Sequence, residues 1–258
     1  MAAAATGDGE LPTKSRRIND ATENGEGRAL GSSLSECSDP EVVIPALLRQ
    51  FYQLGWCSGT GGGISMRSGD FIYIAPSGVQ KEFVQPEDLF IQRLDGTEVQ
   101  SPGSDRRLSK SQCTPLFMNA YRIRNAGAVI HSHSKWANLV TTVCKDDFSA
   151  EFRITHQEMI KGIKNGITKK SLRYDDVLVV PVIKNTCFEA DLEESMRETM
   201  EKYPETCAVL VERHGVYVWG DTWQQAKSMA ECYDYLFEMA CLLKLHGIPP
   251  IEHPQNQE

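Results

Sequence analysis

Apolar residues recur at two different periods along this chain, which predicts a protein that mixes helices with strands. Residues 47–54 repeat at the helical interval behind a helix-start signature at Ser38-Asp-Pro-Glu41, although Pro45 offers a second starting point. Further helices are predicted over residues 111–124, 135–143, 189–203 and 221–247. Shorter apolar runs predict strands over residues 63–67, 71–75, 89–93, 127–133, 151–155, 177–183, 207–211 and 216–219.

The order of these elements predicts one α/β domain of three layers, α/β/α, with a central and largely antiparallel sheet. The strands come as hairpins and mixed runs rather than as regular βαβ units. We expect this domain to span residues 38–248. Residues 1–37 have few large apolar side chains and are predicted to be a disordered tail, and residues 249–258 a C-terminal tail.

Composition narrows the classes of function. The 258 residues are 41% hydrophobic, which is compatible with a sizeable core, and their net charge of −8 argues against a nucleic-acid partner. No apolar run approaches the roughly 20 residues that cross a bilayer, so no membrane partner is predicted. The eight cysteines lack CxxC spacing and the chain start lacks signal-peptide features, which favours free thiols and a cytoplasmic location.

Three histidines at the ends of predicted strands are candidate metal ligands. His131 and His133 are two residues apart, so on a strand they point to the same side. His214 follows the apolar run 207–211 and precedes Gly215. Three histidine nitrogens around a zinc ion leave one position open, which is the arrangement of a catalytic site. We therefore predict a metal site here rather than three unrelated histidines.

Two glycine-containing loops offer backbone N–H groups to an anion. Residues 58–65 read Ser-Gly-Thr-Gly-Gly-Gly-Ile-Ser, and residues 75–79 read Ala-Pro-Ser-Gly-Val. The first matches neither the P-loop nor the dinucleotide-binding fingerprint. A tight turn is the alternative for each loop, but both together favour a phosphorylated substrate.

Glu158 is the candidate acid/base. It follows a predicted strand and adjoins the apolar residues Met159 and Ile160, and apolar surroundings raise the pKa of a carboxyl group. A solvent-exposed loop glutamate is the alternative. His156, in the same segment, is interpreted as structural rather than ligating.

Cys113 lies near the start of a predicted helix, where the pKa of a thiol falls. A small buried apolar residue is the alternative interpretation.

These motifs occur in the order seen in the class II (zinc) sugar-phosphate aldolase superfamily, and the resemblance covers about residues 40–247. Within it, longer strings resemble the methylthioribulose-1-phosphate dehydratase family of methionine salvage, especially its animal members. The strings are Gln53-Leu-Gly-Trp56, Gly59-Thr-Gly-Gly-Gly-Ile-Ser65, Pro76-Ser-Gly-Val-Gln-Lys-Glu82, Lys110-Ser-Gln-Cys-Thr-Pro-Leu-Phe-Met118, Thr155-His-Gln-Glu-Met-Ile-Lys-Gly162 and Arg213-His-Gly-Val-Tyr-Val-Trp-Gly220.

One position departs from the aldolase pattern. Aldolases of this class keep an acid/base glutamate 19 residues before the first ligand histidine, and here that position is Gln112. An amide does not exchange a proton near neutral pH. The resemblance places the carboxylate role on Glu158 instead, which favours dehydration over carbon–carbon cleavage.

The resemblance implies a specific reaction and site. One Zn²⁺ per subunit, on the three histidines, would polarise the ketone of a phosphorylated ketose, and Glu158 would move the proton. The product expected from 5-methylthioribulose 1-phosphate is 2,3-diketo-5-methylthiopentyl 1-phosphate plus water. Cys113 would contact the substrate. The residues implied to hold the phosphate are Gly62, Gly63, Ser77 and Gly78.

The alternatives are another zinc enzyme of this fold, a sugar-phosphate aldolase or epimerase, and a non-enzymatic module like the head of adducin. Gln112 and the Glu158 segment argue against the first, and the three histidines argue against the second. The resemblance further implies a homotetramer. Animal members of the family are also linked to restraint of apoptosome-driven cell death, which implies an apoptosome scaffold protein as a second partner.

Overall fold

One central sheet of nine strands organises residues 34–144 and 150–251, the part of the chain that the computed structural model describes. The strands are β1 Gly63–Ser68, β2 Phe71–Ile74, β3 Pro76–Ser77, β4 Phe90–Arg93, β5 Glu98–Gln100, β6 Ser109–Lys110, β7 Ala128–Ser132, β8 Glu151–Ile154, β9 Leu178–Ile183, β10 Ala208–Val211 and β11 Gly215–Gly220. Their order across the sheet is β5-β4-β2-β1-β7-β11-β10-β9-β8, and β3 pairs with β6 separately. Neighbouring strands are antiparallel except β9 and β10, so the prediction of a largely antiparallel sheet is confirmed.

In the described part of the chain, five helices cover the two faces of this sheet, which confirms the three-layer α/β/α architecture. They are α1 Pro40–Gln53, α2 Thr114–Arg124, α3 Lys135–Val143, α4 Glu193–Lys202 and α5 Trp223–Leu245. Side chains of α2 and α4 pack in one apolar cluster with Val129 of β7 and Tyr217 of β11. Helices α3 and α5 pack on each other, and α5 lies against β7 and β11. Helices on both faces explain why β7, β10 and β11 are buried at every position.

Most predicted elements are present, and most of their ends lie within two residues of the predicted ones. Helix α1 begins at Pro40 rather than Pro45, because the Asp39 side chain accepts a hydrogen bond from Glu41 N at 3.0 Å and caps it. Helix α2 begins at Thr114, three residues later than predicted. The helix predicted over 189–203 divides into a 3₁₀ turn, Glu189–Leu192, followed by α4, and this division affects the site.

The predicted tails lie mostly outside the described residues. At the other end of the domain, Pro250 is buried and its carbonyl accepts a hydrogen bond from Thr155 N at 3.1 Å, so packing continues two residues beyond the predicted boundary at 248. Among the helices described, none is both long and apolar enough to span a membrane.

Candidate metal centre

The three predicted histidines meet at one end of the central strands. His131 is the fourth residue of β7 and His133 follows the strand, while His214 lies in the turn between β10 and β11. Pairing of β7 with β11, with His131 opposite Tyr217, brings that turn beside both. The Nε2 atom of His133 lies 2.9 Å from Nε2 of His131 and 3.0 Å from Nε2 of His214.

This spacing fits a tetrahedral metal ion. Zinc–nitrogen bonds of about 2.0–2.1 Å place neighbouring ligand atoms of a tetrahedron about 3.3 Å apart. The Nε2 atom of His133 therefore needs to move away from those of His131 and His214 by only a few tenths of an ångström. Three imidazole nitrogens are also a donor set that zinc prefers. These residues can therefore hold the ion that the sequence predicted.

Hydrogen bonds at the outer ring nitrogens orient two of the ligands. His131 Nδ1 donates to Val216 O at 3.2 Å, and His214 Nδ1 donates to Asn185 Oδ1 at 3.2 Å. An imidazole that donates through Nδ1 leaves Nε2 to bind a metal once Nε2 carries no proton. The His131 ring also stacks on Tyr217, with ring centroids 4.0 Å apart, which restricts its rotation.

Burial prepares two of the histidines to bind a cation. Loss of solvent, together with repulsion from the neighbouring imidazoles, lowers the pKa of His133 to about 3 and the pKa of His214 to about 4. Both rings are therefore neutral near pH 7, and only a neutral imidazole binds a metal.

Glu189 is a fourth donor at this centre, and the sequence reasoning missed it. Its Oε1 lies 3.0 Å from His131 Nε2 and 3.8 Å from His214 Nε2. Burial alone would raise the pKa of this carboxyl group, but hydrogen bonds from His131, Tyr217 and Cys113 and the charge of His131 hold it well below its usual range. Glu189 is thus a carboxylate and a candidate metal ligand.

Parallel pairing of β9 with β10 explains how Glu189 reaches the histidines. Because Ile183 lies opposite Val211, both strands end at the same edge of the sheet, and Glu212 N donates to Ile183 O at 2.9 Å. The segment after β9 therefore emerges beside the turn that carries His214. The acidic residue itself was visible in the sequence, but periodicity does not show which strands pair in parallel.

The structure corrects the expectation for the Cys113 thiol. Cys113 precedes α2 but is only 5% exposed, and burial together with the charge of Glu189 raises its pKa instead of lowering it. The thiol is protonated near neutral pH and hydrogen-bonds to Glu189. It adjoins the metal centre as a neutral donor, and its contact with substrate stays a prediction.

The structure also corrects the stated basis for Glu158. This residue begins the 3₁₀ turn Glu158–Gly162, but its side chain is 75% exposed and pairs with Lys161 at 2.5 Å, so it does not lie in apolar surroundings. Nor does it line the cavity beside the histidines. His156 is not among the residues of the metal cluster, and its ring centroid lies 5.6 Å from that of Tyr174, so its role stays a prediction.

A cavity of about 550 Å³ opens beside His133 and His214. Its wall includes Gln112, Glu189 and Arg213. A volume of this order accommodates a small metabolite. Gln112 thus occupies the wall next to the ligands, with an amide where an acid would be needed to exchange a proton.

The two glycine-containing loops approach each other near this centre. Gly63 pairs with His131 in the sheet, and Gly62 adopts a φ of +70°. A Cβ at Gly62 would lie 2.6 Å from Trp56 O, so only glycine fits there. Ser77 lies in the short strand β3 and Gly78 follows at a φ of +66°. Anion binding by these four residues stays a prediction.

Comparison with known proteins places the chain in a family. The family model "Class II Aldolase and Adducin N-terminal domain" matches residues 42–241. An L-fuculose 1-phosphate aldolase structure superposes with a TM-score of 0.65 at 19% identity, covering 85% of this chain and 93% of that one, which shows the shared fold. Methylthioribulose-1-phosphate dehydratase of Aquarana catesbeiana is 57% identical over 235 residues, 91% of this chain and 97% of that protein. The Homo sapiens enzyme of that name is 57% identical over 218 residues, 84% and 89% of the two chains.

This chain belongs to the methylthioribulose-1-phosphate dehydratase family. It is therefore a hydro-lyase built on the class II aldolase fold. The resemblance that its motifs predicted is confirmed. The histidine cluster is the candidate metal centre of this chain.

Gly61 provides a test of this centre. A Cβ at this position would lie 2.3 Å from His133 Nδ1 and 2.6 Å from His133 Cε1, so Gly61→Ala must displace a ligand ring. We expect the purified Gly61→Ala variant to lose most of its bound zinc, measured by elemental analysis.

Gly63→Ala is the matched control, because a Cβ there meets only Lys81 Cε at 3.9 Å. This variant should keep wild-type zinc content. Equal zinc in both variants would show that the position of His133 does not govern metal binding.

Proposed function

We propose that this chain catalyses the zinc-dependent dehydration of 5-methylthioribulose 1-phosphate to 2,3-diketo-5-methylthiopentyl 1-phosphate and water, a step of methionine salvage. The observation that carries the proposal is Gln112 in the wall of the metal cavity of a chain that is 57% identical to enzymes of this name. Carbon–carbon cleavage in the related aldolases needs a carboxylate at this position, whereas dehydration does not.

The donor set fits one zinc ion per subunit, held by His131, His133 and His214. When bound, zinc supplies Lewis-acid polarisation of the substrate ketone, which acidifies the neighbouring C3 proton. Outer-ring hydrogen bonds hold His131 and His214 so that this charge has a fixed position. Glu189 lies close enough to the histidines that it could supply a fourth donor atom to the ion.

The proton from C3 requires a base, and Glu158 is our proposal. It would remove the C3 proton and return it to the departing C4 hydroxyl group. The Glu158 side chain is exposed and does not line the cavity of its own subunit. Both observations support the proposal that Glu158 acts as the base at the metal centre of a neighbouring copy. A homotetramer, as the family resemblance implies, would supply that copy. Cys113, whose side chain hydrogen-bonds to Glu189, would contact the same substrate.

The alternative functions have weaker support. An aldolase or epimerase would need a proton-exchanging group where Gln112 lies. A scaffold like the head of adducin would not need three imidazoles with the Nε2 atom of His133 2.9–3.0 Å from the other two. Cytoplasmic location and an apoptosome scaffold partner stay predictions from the resemblance and the composition.

Product analysis tests the function. Zinc-loaded protein incubated with 5-methylthioribulose 1-phosphate should yield a 1,2-diketone, which o-phenylenediamine traps as a quinoxaline for mass spectrometry. It should release no dihydroxyacetone phosphate from fuculose 1-phosphate or rhamnulose 1-phosphate. Cleavage of either sugar without any diketone from the first substrate would support the aldolase alternative instead.

Subunit mixing tests Glu158. Glu158→Gln should lower turnover by at least ~100-fold because general acid–base catalysis is lost, while zinc is retained. His131→Ala should lose zinc. Random hybrids of the two should regain about one quarter of wild-type activity, since about one site in four combines an intact metal with an intact neighbouring Glu158.

The double variant His131→Ala/Glu158→Gln mixed with Glu158→Gln is the matched control, because no hybrid of these two contains any intact Glu158. It should stay inactive. If the first mixture is equally inactive although hybrids form, Glu158 does not act across subunits.

A further inference from the structure

Lys81 is a buried ammonium group that the reaction described above does not use. The residue is 3% exposed and lies in the 3₁₀ turn Lys81–Phe83, just after the second glycine-containing loop. Its Nζ donates to Thr60 O at 2.8 Å and to Val79 O at 3.2 Å. Lys81 therefore ties the first loop to the second through two backbone carbonyls.

No carboxylate of the described chain lies within ion-pair distance of Lys81 Nζ. Burial lowers the pKa of Lys81, and the more distant Glu189 carboxylate offsets part of this effect. The adjacent Cys57 thiol supplies no negative charge, because burial raises its pKa to about 12. A buried charge without a partner is costly, so its persistence calls for a compensating anion.

The two loops that Lys81 joins are the ones predicted to hold the substrate phosphate. Their four candidate residues, Gly62, Gly63, Ser77 and Gly78, carry no charge, whereas a phosphate monoester is close to a dianion at neutral pH. Two of the three N–H groups of Lys81 bond to the loop carbonyls, which leaves one for a ligand. The stem of Lys81 passes next to Gly63, with Cε 3.9 Å from where a Cβ of Gly63 would lie.

We propose that Lys81 supplies the positive charge of the phosphate subsite and fixes the two loops that form it. The inference rests on the proposed function, because it takes the ligand to be a sugar phosphate. Lys81 is a positioning residue: it fixes the loop backbone whose N–H groups meet the phosphate, and its ammonium offsets the phosphate charge. Binding of the dianion in turn relieves the unpaired charge in the protein.

A substrate-truncation cycle tests the proposal. Lys81→Gln and the wild type are assayed, zinc-loaded, with 5-methylthioribulose 1-phosphate and with 5-methylthioribulose, which lacks the phosphate. Because a charge-assisted hydrogen bond is lost, kcat/KM for the phosphorylated sugar should fall about 10- to 100-fold, mainly through KM. For the unphosphorylated sugar, kcat/KM should change less than about threefold, because this substrate has no phosphate with which Lys81 could interact.

Binding of inorganic phosphate, measured by calorimetry, provides a readout that does not need turnover. Its affinity should fall about tenfold or more in Lys81→Gln. Lys81→Met keeps the shape of the stem without the charge and serves if the first variant does not fold. The matched control is Lys227→Gln, which removes a lysine paired with Glu231 at 2.5 Å on α5 and should change neither quantity.

Equal losses for both sugars, or unchanged phosphate affinity, would overturn the inference and leave Lys81 as a link between loops. Failure of the wild type to form the diketone would overturn the proposed function instead. In that case the phosphate titration still decides the role of Lys81.

Discussion

Convergence of three imidazole Nε2 atoms on one point is the constraint on which the rest of this structure depends. Ring nitrogens 2.9–3.0 Å from one another need a proton or a metal between them, so the fold must hold the three rings in place. The pairing of β7 with β11 does this, and Gly215 permits it, because a Cβ there would lie 2.1 Å from Ser132 O. The position of the metal-binding histidines thus depends on the pairing register of β7 and β11 in the middle of the sheet.

Local sequence predicted those site residues whose positions follow from the two-residue alternation of side chains along a strand. His131 and His133 are two residues apart, and a strand needs nothing else to place them together. His214 could be added because it ends an apolar run. Glu189 could not, because it reaches the site only through the parallel pair β9 and β10, and because its segment follows a helical pattern in the sequence but forms a 3₁₀ turn.

Two other differences arise from burial, which sequence indicates poorly. A helix N-terminus lowers a thiol pKa, but at Cys113 loss of solvent and a nearby carboxylate are the larger effects. Apolar sequence neighbours of Glu158 led to the expectation of an apolar environment, yet in a 3₁₀ turn adjacent side chains point in different directions, and Glu158 faces solvent while Ile160 is buried. Helix and strand positions were easier to predict, since each averages over many side chains.

The site divides into two electrostatic halves. The metal half presents three imidazoles, of which His133 and His214 are neutral because they are buried, and the loop half contains a buried ammonium that has no carboxylate partner in the described chain. A ketose phosphate matches this division, with an uncharged carbonyl for the cation at one end and a dianion for Lys81 at the other. On the proposed function, charge placement would orient the substrate before any proton moves.

Zinc K-edge X-ray absorption on the zinc-loaded protein tests the central claim most directly. The account predicts a first shell of nitrogen and oxygen atoms at about 2.0–2.1 Å, with imidazole scattering from three histidines. A sulfur shell at about 2.3 Å, which Cys113 would produce, or a shell with fewer than three imidazoles, would contradict it.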